Sequence, residues 1–217
     1  MLPIHAVLEP LKTALAETTA VVLAAPPGAG KTTVVPLALA DLSWLAGGKV
    51  LVLEPRRLAA RAAAERMAAT LGERAGETGG YRTPLQSRIG PNTRVEVITE
   101  GVFTRMILDD PGLEGVGAVL FDEFHERSLD ADLGLALARE SQQLLRDDLR
   151  LLVMSATLDI AGVSRLLDGA PVIEAGGRMV PVETRHLGRN PAGRFEEAMA
   201  RAVRQALAEE GGSILAF

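Results

Sequence analysis

The apolar run Ala20–Ala25 passes directly into Pro26-Pro-Gly-Ala-Gly-Lys-Thr32, and few folds accommodate that junction. A strand is expected up to the loop and a helix from near Lys31, the setting that a phosphate-holding loop requires. Gly28 and Gly30 let the backbone curl until successive N–H groups point inward at phosphate oxygens. The helix behind adds the positive end of its dipole. Lys31 can then reach β and γ phosphates, and the Thr32 hydroxyl can bind Mg2+. Pro27, Ala29 and Thr33 complete the nucleotide-lining positions. The first position of the usual pattern, a glycine, is Ala25 here, but both glycines nearest the phosphates are present. The loop announces nucleotide binding without saying which nucleotide.

Along the rest of the chain, strand and helix alternate. A helix is expected over 5–17, strands over Lys49–Leu53, Arg94–Thr99, Gly117–Phe121 and Leu151–Met154, and helices over Arg57–Leu71, Val102–Leu108, Ser128–Leu145 and Asp159–Leu167. Leu58, Ala62 and Met67 mark one face of the second of these helices. Residues 72–92, rich in Gly, Arg and Thr, read as irregular. Strands separated by helices predict an α/β fold, a mainly parallel sheet with helices on both faces. Ligands of such a sheet lie beyond the carboxyl ends of its strands.

After about residue 170 the character changes. Pro171–Leu187 reads as two short strands broken at Gly176–Gly177, and Asn190–Gly193 as a turn. Phe195, Ala198, Met199, Ala202, Val203, Ala206 and Leu207 mark an amphipathic helix. Ser213–Phe217 then begins a strand. The expected organisation is one domain over 1–170, with 171–217 a linker and the partial start of a second α/β domain.

A second chemical constellation follows the apolar strand before it: Asp122-Glu123-Phe-His125. An isolated Asp-Glu pair also reads as an acidic helix cap. Downstream of a phosphate loop it has a more economical reading, in which Asp122 holds Mg2+ through water. Glu123, beside the metal, orients and deprotonates an attacking water. Lys31, Asp122 and Glu123 are therefore the expected catalytic residues. Ser155-Ala-Thr157 closes the next strand. Ser155 and Thr157 can hydrogen-bond to the acidic loop and relay its state, although such a pair is by itself an ordinary strand-end cap.

Bulk properties narrow the field. The 217 residues are 47% hydrophobic with a net charge of −5, enough apolar surface for a core and too acidic for a general coat on nucleic acid. Any nucleic-acid contact must be local. The chain has no cysteine, which excludes disulfides, thiolate metal sites and cysteine nucleophiles. No apolar stretch is long enough to span a bilayer, and a cytoplasmic location without membrane association is expected. His5 and His186 belong to no motif.

The order of pieces is recognisable. A loop of form AxxGxGKT, Pro55-Arg56-Arg57 after a strand, Thr99-Glu100-Gly101, Asp122-Glu123-Phe124-His125 and Ser155-Ala156-Thr157 together resemble superfamily 2 helicases of the DEAH/RHA group. The DEFH spelling with TEG is similar to bacterial HrpB-type ATP-dependent helicases. The resemblance runs from about residue 5 to the C-terminus. It implies a RecA-like fold, ATP and Mg2+ as cofactors, and single-stranded RNA or DNA as partner. It further implies that Arg56, Arg57, Thr99 and Gly101 contact nucleic acid, that Arg66 stacks on adenine, and that His125 couples the box to Ser155 and a second domain. Read alone, Arg56 and Arg57 are ordinary helix-start residues, and Arg66 an ordinary solvated one. The family's second RecA-like domain supplies an arginine-rich motif, which this chain lacks, so the chain by itself is expected to hydrolyse ATP weakly or not at all. The alternative is a nucleotide-binding or regulatory module without efficient hydrolysis. A GTPase or small-molecule kinase is disfavoured, because no NKxD motif occurs and those folds do not pair DEFH with SAT.

Overall fold

The computed structural model describes residues 2–156, 160–176, 183–188 and 194–216. They divide into two compact units, Met1–Arg178 and Met179–Phe217.

The first unit is an eight-stranded sheet. In chain order its strands are β1 Ala20–Ala24, β2 Lys49–Glu54, β3 Gly79–Arg82, β4 Ser87–Arg88, β5 Val95–Thr99, β6 Val116–Phe121, β7 Arg150–Ser155 and β8 Val172–Glu174. They lie side by side in the order β4-β3-β5-β2-β6-β7-β1-β8. Every neighbouring pair is parallel except β3 with β4. Parallel neighbours need crossovers, and five helices lie in them: α2 Lys31–Leu39, α3 Arg57–Leu71, α4 Glu100–Asp109, α5 Leu129–Leu144 and α6 Ile160–Leu166, while α1 Leu8–Glu17 precedes the first strand. Because helices cover both faces, β1 and β6 read as unbroken apolar runs rather than alternating ones.

Alternation reappears in what each strand residue touches. Val21, Leu23, Val50 and Val52 pack with Leu11 and Leu15 of α1, Leu39 of α2 and Ala60 and Met67 of α3. Val22, Leu51 and Leu53 face the other way, onto Phe103 of α4, Leu135 of α5 and Val163 of α6. The second layer is built around aromatic rings. Phe121 meets Phe103 edge-on at 5.9 Å and Phe124 at 6.3 Å, contacts worth about 0.5–1.5 kcal/mol each beyond area burial. These rings fasten the end of β6, and the turn after it, to the helices beneath.

Four features differ from those expected of the sequence. The segment 72–92, expected to be irregular, carries β3 and β4 at the sheet edge. A side chain at Gly80 would place its Cβ 2.5 Å from the Arg88 carbonyl oxygen, so this hairpin closes only with glycine and hides its strand propensity. The expected helix over 5–17 opens as a 3-10 turn over Pro3–Val7 before α1 begins at Leu8. Val172–Glu174 pairs in parallel with β1 and belongs to the first sheet, so the first unit continues past residue 170. Residues 183–188 form no second strand, and no strand forms over the described residues 213–216. The turn expected over 190–193 lies outside the described residues.

In the second unit the helix expected from residue 195 is α7, Phe195–Glu209, with no buried residue. No helix among the described residues is long and apolar enough to cross a membrane.

Candidate active site

At the carboxyl end of β1 the chain leaves the sheet with a last bond from the Ala25 N–H to the Ser155 carbonyl, 2.9 Å. It then turns on itself, the Ala29 N–H reaching the Pro26 carbonyl at 3.2 Å. Gly28 and Gly30 take left-handed φ of 75° and 95°. A Cβ at Gly30 would also stand 2.8 Å from a Leu2 methyl carbon. Gly30 caps α2 without a side-chain bond; the Thr33 N–H turns back onto the Gly30 carbonyl at 3.3 Å, whereas the N–H groups of Lys31 and Thr32 come before any intrahelical acceptor. These groups lie within the segment 28–32, where the sequence predicts the cradle.

β7 lies between β1 and β6, so the loop after β6 opens beside this cradle. Lys31 is only 3% exposed, and its Nζ lies 2.9 Å from Glu123 Oε1. Asp122 is 2% exposed, accepts the Glu123 N–H at 2.8 Å and bonds the Thr32 hydroxyl. Burial raises the Asp122 carboxyl above its ordinary range, a shift opposed by the Thr32 hydroxyl and the Lys31 charge. Its second oxygen, Oδ2, is buried without a hydrogen-bond partner. Glu123 sits at a left-handed φ of 48°, an uncommon conformation for a side-chain-bearing residue. It is held there by Phe124, which is buried in the aromatic layer with the Arg127 guanidinium 5.6 Å over its ring. His125 Nδ1 accepts the Ala156 N–H at 3.4 Å and lies 3.4 Å from Glu123 Oε2. The box therefore touches the Ser155-Ala156 segment through His125. Thr157 lies outside the described residues.

Similarity to known proteins gives the family. Residues 8–166 match the DEAD/DEAH box helicase family. The chain is 54% identical over 216 residues to the ATP-dependent RNA helicase HrpB of Escherichia coli (strain K12), covering 100% of this chain and 27% of that protein. It is 35% identical over 172 residues to the ATP-dependent RNA helicase HrpA homolog of Haemophilus influenzae, covering 79% of this chain and 13% of that protein. A crystal structure of the Escherichia coli DEAH/RHA helicase HrpB superposes with a TM-score of 0.92 over 98% of this chain and 27% of that one, at 54% identity. The chain belongs to the DEAD/DEAH box helicase family. Its sheet is the RecA-like fold of that family, and the chain spans about a quarter of the length of the HrpB protein it matches.

The residues that the family resemblance assigns to nucleic acid leave the same sheet edge from β2 and β5. Arg56 and Arg57 are exposed at the start of α3, and Arg56 is paired with Glu126 at 2.5 Å. Thr99 ends β5 with its hydroxyl buried and unpartnered, and Gly101 is exposed at the start of α4. Arg66 is exposed on α3, and no described contact joins it to the phosphate cradle.

The motif reading passed over a group of carboxylates between the two sets. Glu54 ends β2 only 5% exposed. Burial first, then the charges of Asp122, Glu123 and Glu126, push its carboxyl up to about 8. The available signal was an acidic residue closing the apolar run Val50–Leu53. Glu126 follows the box directly and holds Arg56. Glu100, raised by burial, accepts the hydroxyl of Ser128 at 2.5 Å, and Ser128 caps α5.

Proposed function

We propose that this chain is the first motor domain of an ATP-dependent helicase that acts on RNA, with residues of the second unit opening a further RecA-like domain. The observation that carries this reading is the contiguity of Lys31, Thr32, Asp122 and Glu123, in which one triphosphate could touch both the cradle and the acidic pair. The family supplies the reaction, and the HrpB and HrpA relatives, both named as RNA helicases, supply the substrate class.

The residues divide the work by their chemistry. The first-turn N–H groups of α2 and the Lys31 ammonium bind the β and γ phosphates. Binding separates Lys31 from Glu123, and the freed carboxylate can accept the proton of a water aligned on the γ phosphorus. As that oxygen–phosphorus bond forms, the bond to the β-phosphate oxygen breaks and ADP leaves. Among the described residues no cluster of three or more His, Cys, Asp or Glu could hold a metal by itself. Mg2+ instead fits the Thr32 hydroxyl and the orphaned Asp122 Oδ2, together with phosphate oxygens, the usual mixed set for this ion. Bound there it would neutralise phosphate charge. His125 and Ser155 would report the state of the box to neighbouring loops, Thr157 joining them. Arg56, Arg57, Thr99 and Gly101 would bind the single strand, and Arg66 would cover the adenine.

Calorimetry of ATP–Mg2+ binding to this chain and to Lys31→Ala tests the core of the reading. Loss of binding in the variant is the expected outcome, and equal affinity would dissolve the cradle assignment. Nucleic-acid-stimulated ATPase activity of this chain beside a longer form tests the division of the site. Strong activity of the short form alone would contradict a second contributing domain.

A further inference from the structure

Both phosphate-binding sides of this chain are held by one short turn. Glu123 pairs with Lys31 at 2.9 Å, and Glu126 in the following 3-10 turn pairs with Arg56 at 2.5 Å. The two carboxylates are joined through the backbone, because the Glu126 N–H donates to the Glu123 carbonyl at 2.8 Å. The turn is bracketed by left-handed residues that are not glycine, Glu123 at φ 48° and Arg127 at φ 47°. Phe124 pins its middle in the aromatic layer. Beyond it, the Ser128 hydroxyl is tied to Glu100, between Thr99 and Gly101.

We propose that Glu126 is a positioning residue that competes with nucleic-acid phosphate for Arg56 and passes the result of that competition to Glu123. This inference rests on the assignment of Arg56 to the nucleic-acid surface. A phosphate taking the Arg56 guanidinium must displace the Glu126 carboxylate and then repel it. The released Glu126 loosens a strained turn whose other end is the Glu123–Lys31 pair. Freed Lys31 is then available to ATP. Nucleic acid thus favours nucleotide through a single turn, and by linkage nucleotide favours nucleic acid equally.

The test uses this chain, a single-stranded uridylate dodecamer and a non-hydrolysable ATP analogue with Mg2+. Glu126→Gln should bind the oligomer about 2- to 5-fold more tightly at low salt, the range for removing one exposed ionic competitor. The same substitution placed on Arg56→Ala should give no gain. In the wild-type chain, saturating oligomer should tighten analogue binding by about 5-fold or more. That ratio should fall to one in Glu126→Gln and be partly kept in Glu126→Asp, which retains the charge on the same turn. An equal gain in both Arg56 backgrounds, a ratio in Glu126→Gln matching the wild type, or a ratio of one in the wild-type chain overturns the relay. Arg56→Ala binding the oligomer as well as the wild type would instead remove Arg56 from the nucleic-acid surface, and with it the reading beneath.

Discussion

The loops after β1 and β6 and those after β2 and β5 leave the same sheet edge, yet they treat their charges in opposite ways. In the first pair Lys31 and Asp122 are 3% and 2% exposed, and their partners are fixed before any ligand arrives. In the second pair the Arg56 side chain is 70% exposed. A γ phosphate must be gripped where water is excluded, since charges act strongly only at low dielectric. A strand of nucleic acid is bound by exposed cations exchanging with counterions. The first task tolerates few residues at few spacings, whereas the second tolerates many.

Breaking the buried side should have the largest effect. In a form of the protein that hydrolyses ATP, Glu123→Gln should slow the chemical step by at least about 10²-fold. Analogue binding should persist, because the substitution also releases Lys31 from its ion pair. Single-turnover rates beside calorimetry separate the two, and near-normal turnover would take the proton-accepting role from Glu123. Next in size, Lys31→Ala should weaken ATP–Mg2+ binding at least about 10-fold, the range for losing one hydrogen bond to a charged group.

That contrast also explains what could be read from sequence. The glycine loop, the box and the extents of helices α2, α3 and α5 were legible because each follows a local rule. The face expected on α3 was not: Leu58 is 82% exposed and Ala62 is exposed. The buried face runs through Ala60, Ala64 and Met67, because small alanines rather than leucine fit against the sheet. Thr99 and Gly101 gained their role only from family resemblance, because a lone Thr or Gly carries no chemistry of its own. β3 was hidden by the glycines that let β4 approach. Val172–Glu174 was misplaced because an edge strand of three residues has no pattern to say which sheet it joins. Glu54 and Glu126 were missed for a different reason. Their importance lies in what folding sets opposite them, Asp122 and Arg56, and a linear spacing does not show that.

Glu54 sharpens the comparison, for it stands between the two sides. Its carboxyl is pushed up to about 8 from an ordinary value of 4.5, with burial the leading cause. As pH rises above 4.5 the unfolded chain gives up this proton, while the folded chain keeps it until about 8. Over that window the folded state binds more protons, so stability falls as pH rises. Glu54→Gln should flatten the fall, gaining on the order of 1–2 kcal/mol relative to the wild type at pH 8.5 and little at pH 5. Urea midpoints at pH 5, 7 and 8.5 read this directly. A gain equal at all three values would show that Glu54 is not the titrating group.

The smallest effect belongs to the open side. Replacing Arg56 and Arg57 with alanine should leave a shallower dependence of oligomer binding on salt, by roughly one unit of slope for each lost phosphate contact. For one contact that is about a 4-fold difference in affinity change between 50 and 200 mM salt. The two arginines should not contribute alike. Arg57 has no described ion pair and can be engaged at once, while Arg56 must first leave Glu126. Arg57→Ala should therefore cost more affinity than Arg56→Ala at the same loss of slope, because only Arg56 spends part of its attraction on breaking an internal bond. Fluorescence anisotropy across a salt series resolves both quantities. If the order reversed, the Arg56–Glu126 pair would be costing the protein nothing, and the two sides of the sheet edge would differ only in exposure.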